Sequence, residues 1–156
     1  MPWAPTATSP TLGVSKRTVN ANSIQTGLNT WDVDYVVRVK NTGTVAAPNV
    51  NAVDNLNNTF GAGNVVGIKP FSLAAVPLGG AASAQCALNT AFTGQGANTA
   101  LMAGDQTLNP GQACDINFVA QVTNLTPGAT YYNWVTASSA AQGPNSGGVQ
   151  AGPQGG

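Results

Sequence analysis

The segment from Trp31 to Val50, WDVDYVVRVKNTGTVAAPNV, constrains the fold of this chain more than any other. From position 33 to position 39 every second residue is apolar, and this period of two is the pattern of a β-strand with one buried face. A turn-forming NTGT sequence and a second valine-containing segment follow directly. We therefore predict an all-β fold in which one face of this strand points into the core. The predicted inward residues are Val33, Tyr35, Val37 and Val39, and Asp32, Asp34, Arg38 and Lys40 take the other face.

The rest of the chain predicts further strands and little helix. No Asn-Gly or Asp-Gly pair occurs, so the strongest signal for two-residue hairpins is absent. Strands joined by longer connections favour a Greek-key sandwich over a simple meander. We expect loops over 22–29 and 91–105, and strands over 12–20, 31–40, 49–56, 65–68, 71–76, 84–88, 114–122 and 131–139.

Composition divides the chain into three regions. Residues 1–11 are rich in proline, which cannot donate to a β-ladder, so they predict an extended N-terminal arm. Residues 12–140 hold all the predicted strands, and we predict that they form one β-sandwich domain. Residues 141–156 are a Gly/Pro-rich tail without a core of its own. We expect the terminal regions to extend away from the sandwich.

The residue types present exclude most catalytic machinery. The chain has no histidine and no glutamate, and only 6% of its residues are charged. The commonest general base is missing, and neither Ser-His nor Cys-His nucleophile pairs can form. We predict a protein that is not an enzyme and that needs no cofactor.

Charge and hydropathy also limit the partners. The formal net charge is zero, and no basic face exists for a phosphate backbone, so we expect no nucleic-acid binding. No apolar run reaches the roughly 18 residues of a membrane span, so we expect no membrane insertion. The first residues lack the basic and apolar regions of a signal peptide. We expect either that a signal was removed and Met1 is not native, or that the protein leaves the cell by another route, such as inclusion in a virion.

Three segments in order resemble a known family. They are DVDYVVRVKNTGTVAAPNVNAVDNL at 32–56, LNTAFTGQGANTALMAGDQTLNPGQACDINFVAQV at 88–122 and YYNWVTASS at 131–139. Their order and spacing resemble the Ig-like repeat of bacterial surface proteins known as domain of unknown function eleven. The resemblance covers about residues 14–140, and it implies an extracellular, non-enzymatic β-sandwich that serves as a spacer or adhesive module. The chain differs from the family in having one copy of the domain and a longer Gly/Ala-rich segment at 61–84.

Cys86 and Cys114 are the only cysteines, and their separation excludes the CxxC motifs of redox and zinc sites. One interpretation is a disulfide between two strands, which stabilises by about 3–4 kcal/mol on the loop-entropy model. The other is a pair of buried thiols that pack as small apolar groups. Export favours the disulfide, and assembly inside a cell favours the thiols.

Asp32, Asp34 and Asp54 are candidate calcium ligands, because calcium binds carboxylate oxygens. The competing interpretation is a set of solvated carboxylates near Arg38 and Lys40. No acidic loop of the calcium-binding type occurs, so we predict no metal site.

The three tryptophans have different expected roles. Trp31 and Trp134 are predicted in the core or at its edge, although exposure of both would favour a carbohydrate-binding platform, a possible but less favoured role. Trp3 lies in the arm, and the alternatives are that it docks on a neighbouring subunit, that it folds back on its own domain, or that the arm is disordered. A large aromatic side chain is a strong anchor when a partner buries it.

These observations favour a structural or interaction module of a cell-surface or extracellular assembly, acting through protein–protein contacts. The alternative is a virion or filament subunit, such as a capsid decoration or fibre protein, whose terminal arms dock on neighbouring subunits. Both predict homo- or hetero-assembly with other protein subunits.

Overall fold

A computed structural model describes residues 10–19, 24–80, 82–83 and 86–139 of the chain. Ten strands and one short helix follow one another in this part. In chain order they are β1 (Leu12–Thr18), β2 (Ile24–Gly27), β3 (Thr30–Asn41), β4 (Ala47–Val53), α1 (Leu56–Phe60), β5 (Val65–Ile68), β6 (Ala74–Ala75), β7 (Ala82–Ser83), β8 (Gln106–Leu108), β9 (Gln112–Thr123) and β10 (Thr136–Ser138).

Two sheets pack face to face, which confirms the predicted all-β sandwich. The larger sheet is built on β3 and β9, which pair antiparallel over almost their whole length. On the other side of β3 lie β1 and β2, and the outer edge of β9 is shared by the short strands β5, β6 and β7, of which β7 is parallel to it. The smaller sheet has the order β10-β4-β8.

The core lies between the two sheets, and the inward face of β3 supplies much of it. Tyr35 is fully buried opposite Phe118 of β9, with 5.6 Å between the ring centroids, and Phe92 packs edge-on against Phe118 at 5.1 Å. The predicted alternation of β3 is confirmed, because the core contains Val33, Tyr35, Val37 and Val39. β9 alternates in the same way, and its core residues are Cys114, Ile116, Phe118, Ala120 and Val122.

The outer face of β3 is more covered than the sequence suggests. Arg38 donates to both carboxylate oxygens of Asp115 on β9, and Asp115 also accepts from the backbone amide of Leu78. Arg38 donates in addition to the carbonyl of Gly79. The segment that follows β6 therefore lies over this face, which explains why Asp115 is buried although it points away from the core.

The disulfide between Cys86 and Cys114 is present, with 5.7 Å between the Cα atoms. Cys114 lies on the inward face of β9 opposite Val39. The bond links the long connection before β8 to the central strand of the larger sheet.

Several predicted boundaries are wrong. Part of the loop expected at 22–29 is strand β2, which pairs with the start of β3. The strand expected to reach residue 56 ends at Val53, because Asn55 caps helix α1 by accepting from the Asn58 amide at 3.3 Å. The expected last strand is reduced to β10. Its partner β4 ends opposite Thr136, so the residues before Thr136 have no β4 backbone to pair with.

Two shorter strands also differ from expectation. The strand expected at 71–76 is limited to Ala74–Ala75, and the one expected at 84–88 is replaced by Ala82–Ser83 and an isolated bridge at Leu88. Residues 1–9 of the predicted arm and 141–156, the predicted tail, lie outside the described residues.

Candidate functional site

A lysine and an aspartate form an ion pair inside the sandwich. Lys16 is the third inward residue of β1, after Leu12 and Val14, and it pairs with Val37 in the ladder. Asp54 follows directly after β4 in the smaller sheet. Lys16 Nζ donates to Asp54 Oδ2, and the side chains of both residues are completely buried. A basic side chain from β1 and an acidic side chain from the end of β4 therefore meet in the core.

Asn133 and Thr59 complete this polar cluster. Asn133 Nδ2 donates to Asp54 Oδ2 over 3.4 Å, so one carboxylate oxygen contacts both the lysine and the asparagine nitrogen. Thr59 Oγ1, from helix α1, donates to Asn133 Oδ1 over 2.9 Å. We call Lys16, Asp54, Thr59 and Asn133 the buried cluster.

Aromatic rings surround the lysine end of the buried cluster. Lys16 Nζ lies 4.0 Å from the centroid of the Tyr35 ring and 5.2 Å from that of Phe118. The Tyr35 hydroxyl and Asp54 Oδ1 are buried without a hydrogen-bond partner among the described residues. The cluster therefore lies in an apolar setting that stabilises charge poorly.

Burial changes the acidity of these groups. It lowers the pKa of Lys16 to about 8, although the nearby Asp54 acts in the opposite direction. Burial also raises the pKa of Asp54 above its usual value, against the effect of Lys16. The Tyr35 pKa is raised, first by burial and then by the charge of Asp54. All three shifts favour the uncharged form of the group.

The three aspartates considered as calcium ligands do not come together. Asp32 accepts from Lys69 Nζ at 3.1 Å, and Asp34 accepts from Asn117, both on the outer face of the larger sheet. Asp54 lies in the core on the opposite side of that sheet. Within the described part of the chain, no group of three or more acidic or cysteine side chains is placed to hold a metal ion.

Two exposed aromatic side chains lie in the segment directly before β10, in a groove that also contacts Val53 at the end of β4. Tyr132 and Trp134 are each 53% exposed, and Val53 beside them is 41% exposed. They line a groove of about 290 Å³ whose other lining residues are Asn55, Asn58, Thr59 and Thr136. We call this surface the aromatic face, and none of its lining residues is charged.

The prediction that Trp134 lies in the core or at its edge is therefore wrong. Asn133 and Val135 point inward, so the alternation along the chain turns Trp134 outward. Trp31 is buried as predicted, opposite Val122. Because only one of the two is exposed, Trp31 and Trp134 do not form a shared carbohydrate platform.

Trp3, the candidate for docking, lies outside the described residues, but the point from which the arm leaves is defined. Pro10 is buried, and the Thr11 carbonyl accepts from the backbone amide of Thr42 at 2.7 Å. The chain before β1 is thus anchored at the end of β3.

No family model matches the chain, and no curated protein matches it. Among the described residues, no helix is long and apolar enough to cross a membrane.

Proposed function

We propose that this chain is a non-enzymatic structural module of a cell-surface or extracellular assembly and acts through contacts with other protein subunits. The resemblance of three segments to the Ig-like repeat of bacterial surface proteins supports this location. The Cys86–Cys114 disulfide agrees with it, because such bonds persist in oxidising compartments.

The aromatic face is the observation that most supports binding to another protein subunit. Tryptophan and tyrosine are enriched among the residues that dominate protein–protein binding energy. Trp134 and Tyr132 lie in the segment directly before β10, and each side chain has only two rotatable χ angles, so little conformational entropy is lost when a partner covers them. A groove between them and Val53 offers a shaped surface for a side chain of the partner.

The partner that we propose is a second copy of the chain. A two-fold interface brings the same patch of both copies together, so the patch must be self-complementary. The aromatic face has no charged lining residue, and the chain has a net charge of zero. Two copies therefore meet on this face without like-charge repulsion.

Replacing Trp134 by alanine should weaken self-association by roughly 30-fold or more, the effect of losing a binding hot spot. Light scattering over a concentration series measures this. The wild-type mass should rise from 15.6 kDa towards twice that value. Phe71→Ala is the matched control, because Phe71 is fully exposed but lies outside the aromatic face, in the loop between β5 and β6. A wild-type mass that stays at 15.6 kDa at every concentration would contradict the proposal.

A virion or filament subunit is the second candidate, and the anchoring of Pro10 and Thr11 favours it. A fixed point of departure lets a proline-rich arm reach a neighbouring subunit in a defined direction. Removing residues 1–9 leaves this anchor in place and should abolish assembly if Trp3 docks on a neighbour. Assembly of the shortened chain identical to that of the full chain, by the same light scattering, would exclude arm docking.

A further inference from the structure

The buried cluster has an arrangement that an ion pair alone does not need. Asp54 Oδ2 contacts a primary amine on one side and a primary carboxamide on the other. The carboxamide oxygen is in turn bound by the Thr59 hydroxyl. A nucleophile, a carbonyl group, a proton-carrying group and a donor to the carbonyl oxygen are therefore assembled in one water-excluded place.

We propose that Lys16 and Asn133 join to form an intramolecular amide, with Asp54 carrying the proton between them. Lys16 Nζ attacks Cγ of Asn133, and the Cγ–Nδ2 bond breaks. The product is one Nζ–Cγ amide, and one ammonia leaves. No oxidant, reductant or other reactant is consumed, and the reaction happens once in each molecule, so it does not make the protein an enzyme.

Each residue of the cluster has a task in this reaction. The amine must be uncharged to attack, and the aromatic surroundings of Lys16, with its lowered pKa, favour that form. Asp54 Oδ2 accepts a proton from Nζ and delivers it to the departing Nδ2, because it contacts both nitrogens. Thr59 Oγ1 is placed on Asn133 Oδ1, where negative charge develops in the tetrahedral intermediate.

The choice of Asn133 over Asp54 as the acceptor follows from the contacts. The donor on a carbonyl oxygen is at Asn133, whereas Asp54 Oδ1 has no donor among the described residues. The departing nitrogen, Nδ2 of Asn133, also has a group beside it that can deliver a proton, since it contacts Asp54 Oδ2. Condensation of Lys16 with Asp54 instead would release water, which gives the two reactions different masses.

The amide would connect the two sheets through the first strand and the segment before the last one. Lys16 belongs to β1 of the larger sheet, and Asn133 precedes β10 of the smaller sheet. The bond would close the chain between positions 16 and 133, which encloses β3, β4, β9 and the Cys86–Cys114 disulfide. Force applied to the two ends of the chain would then pass through this bond rather than through the sheets.

The mass of the intact, reduced full chain tests the proposal. We expect a mass about 17 Da below that of the sequence, the loss of one ammonia. Trypsin should leave residues 1–17 covalently joined to the peptide 41–156, because Lys16 is blocked and Lys69 precedes proline. Lys16→Met and Asn133→Ala should each restore the full mass. The controls Lys69→Met and Asn117→Ala, which alter a lysine and an asparagine on the outer face, should keep the loss.

Three results would overturn the proposal. The first is a wild-type mass equal to that of the sequence. The second is a loss of about 18 Da, which would indicate a Lys16–Asp54 bond formed with release of water. The third is a loss of 17 Da without a joined peptide, which would indicate a cyclic imide within one segment. The wild-type measurement decides between these results even if a variant fails to fold.

Discussion

Replacing Lys16 by methionine is expected to lower the free energy of unfolding by at least about 3–5 kcal/mol, because it leaves the carboxylate of Asp54 buried without its partner. Loss of the proposed amide adds to this cost. Methionine keeps the length of the side chain, so loss of volume contributes little. Lys69→Met is the matched control. The Lys69 side chain is 51% exposed, and loss of its ion pair with Asp32 should cost about 1 kcal/mol or less. Urea unfolding of both variants measures the difference, and equal costs would contradict the role assigned to the buried pair.

The double variant Lys16→Met/Asp54→Leu separates the ion pair from the proposed amide. Replacing both members of a buried pair by apolar residues is often neutral or stabilising. If the amide forms in the wild type, however, the double variant also loses a link across 117 residues, worth about 5 kcal/mol on the loop-entropy model. We expect the double variant to remain well below the wild type in stability. A stability equal to that of the wild type would indicate that the two residues form only an ion pair.

Phe118→Ala is expected to destabilise the protein by about 3–5 kcal/mol, since it opens a cavity at the centre of the core. The Phe118 ring is fully buried and contacts the rings of both Tyr35 and Phe92. It also forms part of the aromatic surroundings of Lys16. Phe71→Ala removes the same side chain from a fully exposed position and should change stability by no more than about 0.5 kcal/mol. Equal unfolding midpoints in urea for the two variants would contradict this description of the core.

The central sheet is predictable from sequence because long alternation has a direct physical cause. In β3 and β9 the apolar residues line one face over many positions, and burying that face needs no knowledge of neighbouring elements. The last strand is not predictable in the same way. Its length depends on where β4 ends, and β4 ends where Asn55 caps helix α1. This helix has only five residues, so the sequence shows no helical periodicity there.

The buried cluster could have been found from the same alternation. Lys16 continues the inward series of Leu12 and Val14, and Asp54 continues that of Val50 and Ala52. Asn133 has the parity of Val135 and Ala137, which also places Trp134 outside. A polar residue at an inward position needs a partner, and three such residues in one small domain predict a shared cluster. What sequence does not show is that the three lie at the same level of the core.

The cysteines illustrate a choice that spacing alone does not decide. Cys114 lies on an inward position of β9, which suits a buried thiol as well as a half of a disulfide. Only the three-dimensional path of the connection before β8, which brings Cys86 to 5.7 Å between Cα atoms, distinguishes the two.

Nitrogen NMR of protein labelled at the lysine side chains tests most directly whether a bond at Lys16 joins the two sheets. The chain has three lysines, Lys16, Lys40 and Lys69. We predict that Nζ of Lys16 gives an amide signal with one attached proton, coupled to the side-chain carbonyl carbon of Asn133, while Lys40 and Lys69 give amine signals. Three amine signals and no amide signal would contradict the account.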